Sequence, residues 1–162
     1  MKRVLLRVLL VVLILLVAIQ LVPYGRSHDN PPVTGEPSWD SPRTRELVQR
    51  ACFDCHSHET KWPWYASIAP ISWMVQHDVD EGREHLNFST WDVSQRNGDE
   101  TAEEVEDGEM PLKGYLLAHP EARLEGKERE ELLRGLRATF PEKEGRGRGR
   151  GGRDDEGDDD DR

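Results

Sequence analysis

Apolar and polar positions divide the chain into three unlike stretches. Lys2, Arg3 and Arg7 open it, and an apolar run from Val8 to Val22 follows, broken only by Gln20. With Val4 to Leu6 the run reaches about 19 residues, or roughly 28 Å as a helix. This predicts a transmembrane helix within residues 1–24, its cationic flank in the cytoplasm. All that follows would then lie on the periplasmic or extracytoplasmic side of the inner membrane, in a single-pass protein. A cleaved signal peptide is the rival reading, because the unbroken core from Val8 to Ile19 is 12 residues long. The run AIQLVPYG offers no convincing small-x-small cleavage site, which favours an uncleaved anchor.

Residues 25–40 are rich in Pro, Ser, Gly and Asp and read as a tether. Residues 142–162 form a Gly/Arg block and then an acidic block with no apolar residue, which predicts a disordered tail. Between them, residues 41–141 show helical periodicity and no persuasive strand. Ser41 can cap a helix with Pro42 at its first position, running through Leu47 and Val48 into a cysteine motif. Ile71, Val75, Val79 and Leu86 recur at helical spacing, and a very acidic helix is expected over about Glu100 to Asp107. The last helix is expected from about Lys127 to Phe140, with Leu132, Leu133, Leu136 and Phe140 on one face and Pro141 as its stop. The expected fold is mainly α, a small cytochrome c-like helical domain after a transmembrane helix.

Composition adds a constraint. Apolar residues make up 35% of the chain and charged residues 33%, so the middle segment has little aliphatic material to offset the entropy of ordering. A large flat cofactor would act as a staple. The net charge of −10 resides mostly in residues 36–141, with 22 acidic against 12 basic side chains. That excludes nucleic acid as a partner, because phosphate binding needs clustered Lys and Arg, and it suits a cationic redox partner protein.

The cysteine motif is CFDCH. Two thiols spaced Cys-x-x-Cys at a helix end can each add to a haem vinyl group, and a His directly after can turn under the iron. Cys52 and Cys55 are therefore candidates for covalent thioethers to one haem c, and His56 for the proximal iron ligand. Attachment of this kind implies the cytochrome c maturation machinery as a partner. A dithiol redox centre is a rival, but the alternating strand and helix pattern it needs is missing. A zinc site from Cys52, Cys55, His56 and His58 would crowd four ligands into seven residues.

For the distal ligand, Met110 in the loop EDGEMPL lies 54 residues beyond His56, between Gly108 and Pro111. Its soft thioether suits the chemistry of His/Met cytochromes. A Met filling the core is the alternative role, and His77 is the alternative distal ligand. His58 is too near His56 to reach the other haem face, and His85 and His119 read as surface residues. The aromatics Trp62, Trp64, Tyr65, Trp73, Trp91 and Tyr115 suit core packing or burial of a porphyrin. Arg83 is a candidate propionate partner.

These residues resemble the bacterial haem-binding domain family, short membrane-anchored chains with one CxxCH. The resemblance covers about Ser41 to Phe140. It rests on ACFDCHSHETKWPWYASIAPISWMVQHDVDEGREHLNFSTW, on GEMPLKGYLLAHPEARL and on the closing amphipathic helix. It implies covalent haem at Cys52, Cys55 and His56, a mainly helical cytochrome-like domain, and Met110 as the other ligand. The expected function is one-electron transfer by a carrier, with no catalytic residues. A haem-based sensor or peroxidase-like enzyme with an open sixth position is the alternative, and a haem-free extracytoplasmic interaction module is the third.

Overall fold

A computed structural model describes residues 1–93, 95 and 97–141. The expected tail at 142–162 lies outside the described residues. Seven α-helices follow in order: α1 (Lys2–Ile19), α2 (Pro42–Ala51), α3 (Phe53–His56), α4 (Ile71–His85), α5 (Thr101–Asp107), α6 (Lys113–Ala118) and α7 (Lys127–Thr139). Three short 3₁₀ turns join them, and one isolated parallel bridge pairs Gly35 with Thr90.

Local chemistry accounts for the ends of the helices. Ser41, in extended conformation, accepts the Thr44 N–H at 3.2 Å, and Pro42 follows at the first helical position. Gly108, at φ 76°, closes α5 in the left-handed region that a side chain would resist. The α7 face Leu132, Leu133 and Leu136 meets Leu47 and Val48 of α2 in one apolar cluster, completed by Phe53, Phe88 and Phe140. Aromatic rings form the centre of that core. Trp39 stands edge-on to Phe140 at 5.7 Å, and Phe88 stacks on Phe53 and Phe140 at 5.7 and 6.2 Å. On α4 the buried face is Ser72, Val79 and Gly82, while Ile71 of the expected stripe is 45% exposed.

The N-terminal expectation needs correction. The apolar run is helical as α1, but the helix has 18 residues and carries Lys2, Arg3 and Arg7 in its first two turns. Its uninterrupted apolar part rises only about 18 Å, against a hydrocarbon layer of about 30 Å. Among the described residues no helix is long and apolar enough to cross a membrane. The transmembrane helix, and with it the single-pass inner-membrane anchoring, are therefore overturned. Gln20, which interrupts the apolar run, instead fastens the end of α1 to the domain. Its side chain donates to the Ala69 carbonyl at 2.8 Å and accepts the Ala69 N–H at 3.0 Å.

The stretch read as a tether also lies along the domain. His28 stacks on Trp62 at 4.8 Å, Thr34 donates its N–H to Ser89 at 2.9 Å, and Glu36 forms a two-pronged ion pair with Arg45 at 2.7 Å. Proline and glycine made this stretch look extended. Its aromatic and polar side chains hold it down.

Candidate functional site

The cysteine motif sits at a break between two helices. Cys52 ends α2, its N–H bonded to Val48 O at 2.8 Å, and its own carbonyl then starts α3 by accepting the His56 N–H at 2.9 Å. The change of direction sends Phe53 into the aromatic core, 2% exposed, and leaves Cys52, Cys55 and His56 on the wall of one cavity of about 420 Å³. That volume falls in the range of sites for sizeable organic ligands.

Nδ1 of His56 faces two carbonyl oxygens at the end of α4, Gly82 O at 2.9 Å and Leu86 O at 3.1 Å. Carbonyl oxygens only accept, so this nitrogen carries the proton and Nε2 keeps a bare lone pair. Burial holds the imidazole below the usual histidine range, outweighing the two carbonyls, and keeps the ring neutral. Gly82 makes the approach possible. A Cβ there would lie 2.6 Å from Cys55 O and 3.0 Å from Cys55 Cβ.

Met110 lines the same cavity, half-buried against the apolar cluster. The left-handed turn at Gly108 brings it there, and the N–H groups of Glu109 and Met110 both reach back to Glu104 O, at 3.0 and 3.1 Å. Leu86, Phe88 and Val105 supply apolar wall. Four carboxylates, Asp78, Glu81, Glu100 and Glu104, also line the cavity, and among the described residues His85 is the one further basic side chain. Burial raises the Asp78 carboxyl above its usual range.

Other candidates lie elsewhere. His77 is on α4 with 61% of its side chain exposed, 3.5 Å from Glu81, and is not part of the cavity wall. His58 is occupied by Pro32 O at 3.0 Å and the Asn87 amide at 2.9 Å, and no cluster of metal-binding groups occurs among the described residues. Arg83 spends its guanidinium on Ser57 O, Asp29 O, Asn30 and Thr60 at 2.8 to 3.0 Å, which removes it as a propionate partner. His119, expected at the surface, is half-buried between Tyr115, stacked at 4.1 Å, and Tyr65. Trp64 is 78% exposed and packs no core. Both cysteines are unbonded, and burial pushes each thiol up to about 12, Asp78 and Asp54 adding to the effect at Cys55. Thiols this reluctant to ionise make poor exchange centres at neutral pH.

A family model described as a haem-binding domain matches residues 14–138. The chain belongs to the haem-binding domain family. No curated protein and no solved structure matches it.

The residues of this haem-binding domain fit the group. Haem needs a largely apolar slot and an axial nitrogen with a free lone pair, and the cavity offers Leu86, Phe88 and Val105 beside His56 Nε2. The wall contains no Lys or Arg among the described residues, so no lining cation is available to pair with a propionate. Sequence reasoning missed Gly82, Asp78 and Glu81 as parts of the site. A glycine inside an otherwise helical run was the available signal for Gly82.

Proposed function

We propose that this haem-binding domain carries one c-type haem, joined covalently to Cys52 and Cys55, and acts as a one-electron carrier with His56 and Met110 as axial ligands. The observation that carries the reading is the meeting of both thiols, a lone-pair nitrogen and a thioether on one cavity wall. When bound, haem supplies an iron that alternates between ferrous and ferric and so takes up or releases one electron. The protein's part is to hold the ring by two thioethers, aim Nε2, keep water from the apolar wall and leave no coordination position open to a substrate. The cytochrome c maturation machinery is the partner that the two cysteines require.

The deciding experiment is an absorption spectrum of the ferric protein with and without Met110→Ala. The wild type is expected to be low-spin with a weak sulfur-to-iron band, and the variant to lose that band and bind CO or cyanide readily. A wild type that is already high-spin and open to those ligands would sink the carrier and support a sensor or peroxidase-like enzyme.

Asp78 and Glu81 from α4 face the cavity together with Glu100 and Glu104 from the α5 side, which suits a cationic redox protein. Electron exchange with a small basic redox protein, followed by stopped flow, is expected to slow about tenfold or more between low and physiological salt. A rate independent of salt would remove this partner class.

A further inference from the structure

The loop that carries Met110 is framed by two unequal supports. Upstream, the C-terminal turn of α5 holds the Glu109 and Met110 N–H groups on Glu104 O. Downstream comes α6, a helix of six residues that buries none of them. With Tyr115 and Leu116 only partly buried, apolar packing holds it weakly and hydrogen bonds carry more of its placement.

Arg123 holds the Leu116 carbonyl of α6 at 2.8 Å from seven residues downstream, and the link from α6 to a part of the chain distant in sequence is Tyr115 OH to Asp54 Oδ2, 2.8 Å. Asp54 lies inside CFDCH, between the two cysteines, and its own position is fixed from the opposite side. Its Oδ1 accepts the Lys61 N–H at 2.9 Å, and its carbonyl accepts the Thr60 hydroxyl at 2.8 Å. Thr60 in turn is gripped by Arg83 at 3.0 Å. A firmly held acceptor thus meets a donor on a loosely held helix. Burial and the Asp54 charge raise the Tyr115 phenol above its usual range, so it stays a donor. The ring itself lines the cavity and rests on His119, and His119 is 3.3 Å from the Tyr65 hydroxyl.

We propose that Tyr115 is a positioning residue for the sixth ligand: its hydrogen bond to Asp54 ties the Met110 loop to the haem-attachment run and keeps the thioether on the iron. The inference rests on Met110 being that ligand. Attachment and distal ligation would then be coupled through one side chain, because the residue between the two cysteines also anchors the segment that follows Met110. Losing the bond frees α6 and lets the loop lift, without touching either cysteine or His56.

Tyr115→Phe is the test, since it keeps the ring and its stack on His119 and removes only the hydroxyl. The haem-loaded variant is expected to retain covalent haem, lose most of the sulfur-to-iron band, and in the ferrous state bind CO about tenfold faster than wild type. Asp54→Ala is expected to reproduce this and Asp54→Asn, which keeps an acceptor oxygen, to restore the band. The double variant Tyr115→Phe/Asp54→Ala should be no worse than either single one. Should Tyr115→Phe fail to accumulate, the contrast between Asp54→Asn and Asp54→Ala decides the matter alone. A band lost in Met110→Ala but unchanged, with wild-type CO kinetics, in Tyr115→Phe or in Asp54→Ala overturns the positioning role only. A band that survives Met110→Ala overturns the ligand assignment, and this inference with it.

Discussion

Gly82→Ala is expected to lower the stability of the haem-loaded protein by about 2 to 4 kcal/mol and to cut the yield of attached haem several-fold. The obstacle is backbone. The new Cβ would stand 2.6 Å from Cys55 O and 3.0 Å from Cys55 C, neither of which can swing aside as a side chain does. Either α3 or α4 must retreat, and both retreats stretch the bonds from His56 Nδ1 to Gly82 O and Leu86 O. Overpacking costs about 1 to 3 kcal/mol, and the weakened hydrogen bonds add about 1 kcal/mol each. Against that, alanine gains up to about 1 kcal/mol over glycine as a helix former. The clash therefore wins. Urea unfolding of the wild type and variant, with the haem absorbance of equal protein amounts, measures both effects; equal midpoints would show that the helices do not approach as described.

Cys52→Ala/Cys55→Ala is expected to abolish covalent haem outright. On a denaturing gel stained for haem, after expression with the maturation machinery, the wild type should stain and the double variant should not. Retained stain would end the claim of attachment, and an unstained wild type would leave a haem-free module. The variant should also unfold at lower urea. Its core is one cluster of 11 buried residues bordering a cavity of about 420 Å³. A ligand that binds only the folded chain stabilises it, and here that help is withdrawn.

Much of the helical plan was legible because the signals were local. Ser41 and Pro42 mark the start of α2, Pro141 follows α7, and Leu132, Leu133 and Leu136 share one face. The two shortest helices, α3 and α6, carry no periodic stripe, since one is four residues long and the other buries none. The membrane span failed for a different reason. Its apolar residues were counted across the charge at Arg7, and the unbroken helical part that remains is too short.

The CFDCH run was readable as a candidate attachment site, because Cys-x-x-Cys-His has few other uses. Its surroundings were not. Arg83 looked like a partner for a propionate, yet contacts as distant in sequence as Asp29 and Asn30 claim it. The pairing of Asp54 with Tyr115 spans 61 positions, and no sequence spacing announces it.

The two carbonyls in front of His56 have one more consequence. Gly82 O already serves the Leu86 N–H, while Leu86 O belongs to the residue that ends the helix and has no successor turn to bond to. The imidazole completes that ending, so the ring's orientation is part of the helix's own architecture. In the proposed role of iron ligand, an imidazole held in this way has surrendered its rotational freedom before any iron arrives. Coordination then costs little additional order, and more of the bond's strength is left to retain the metal.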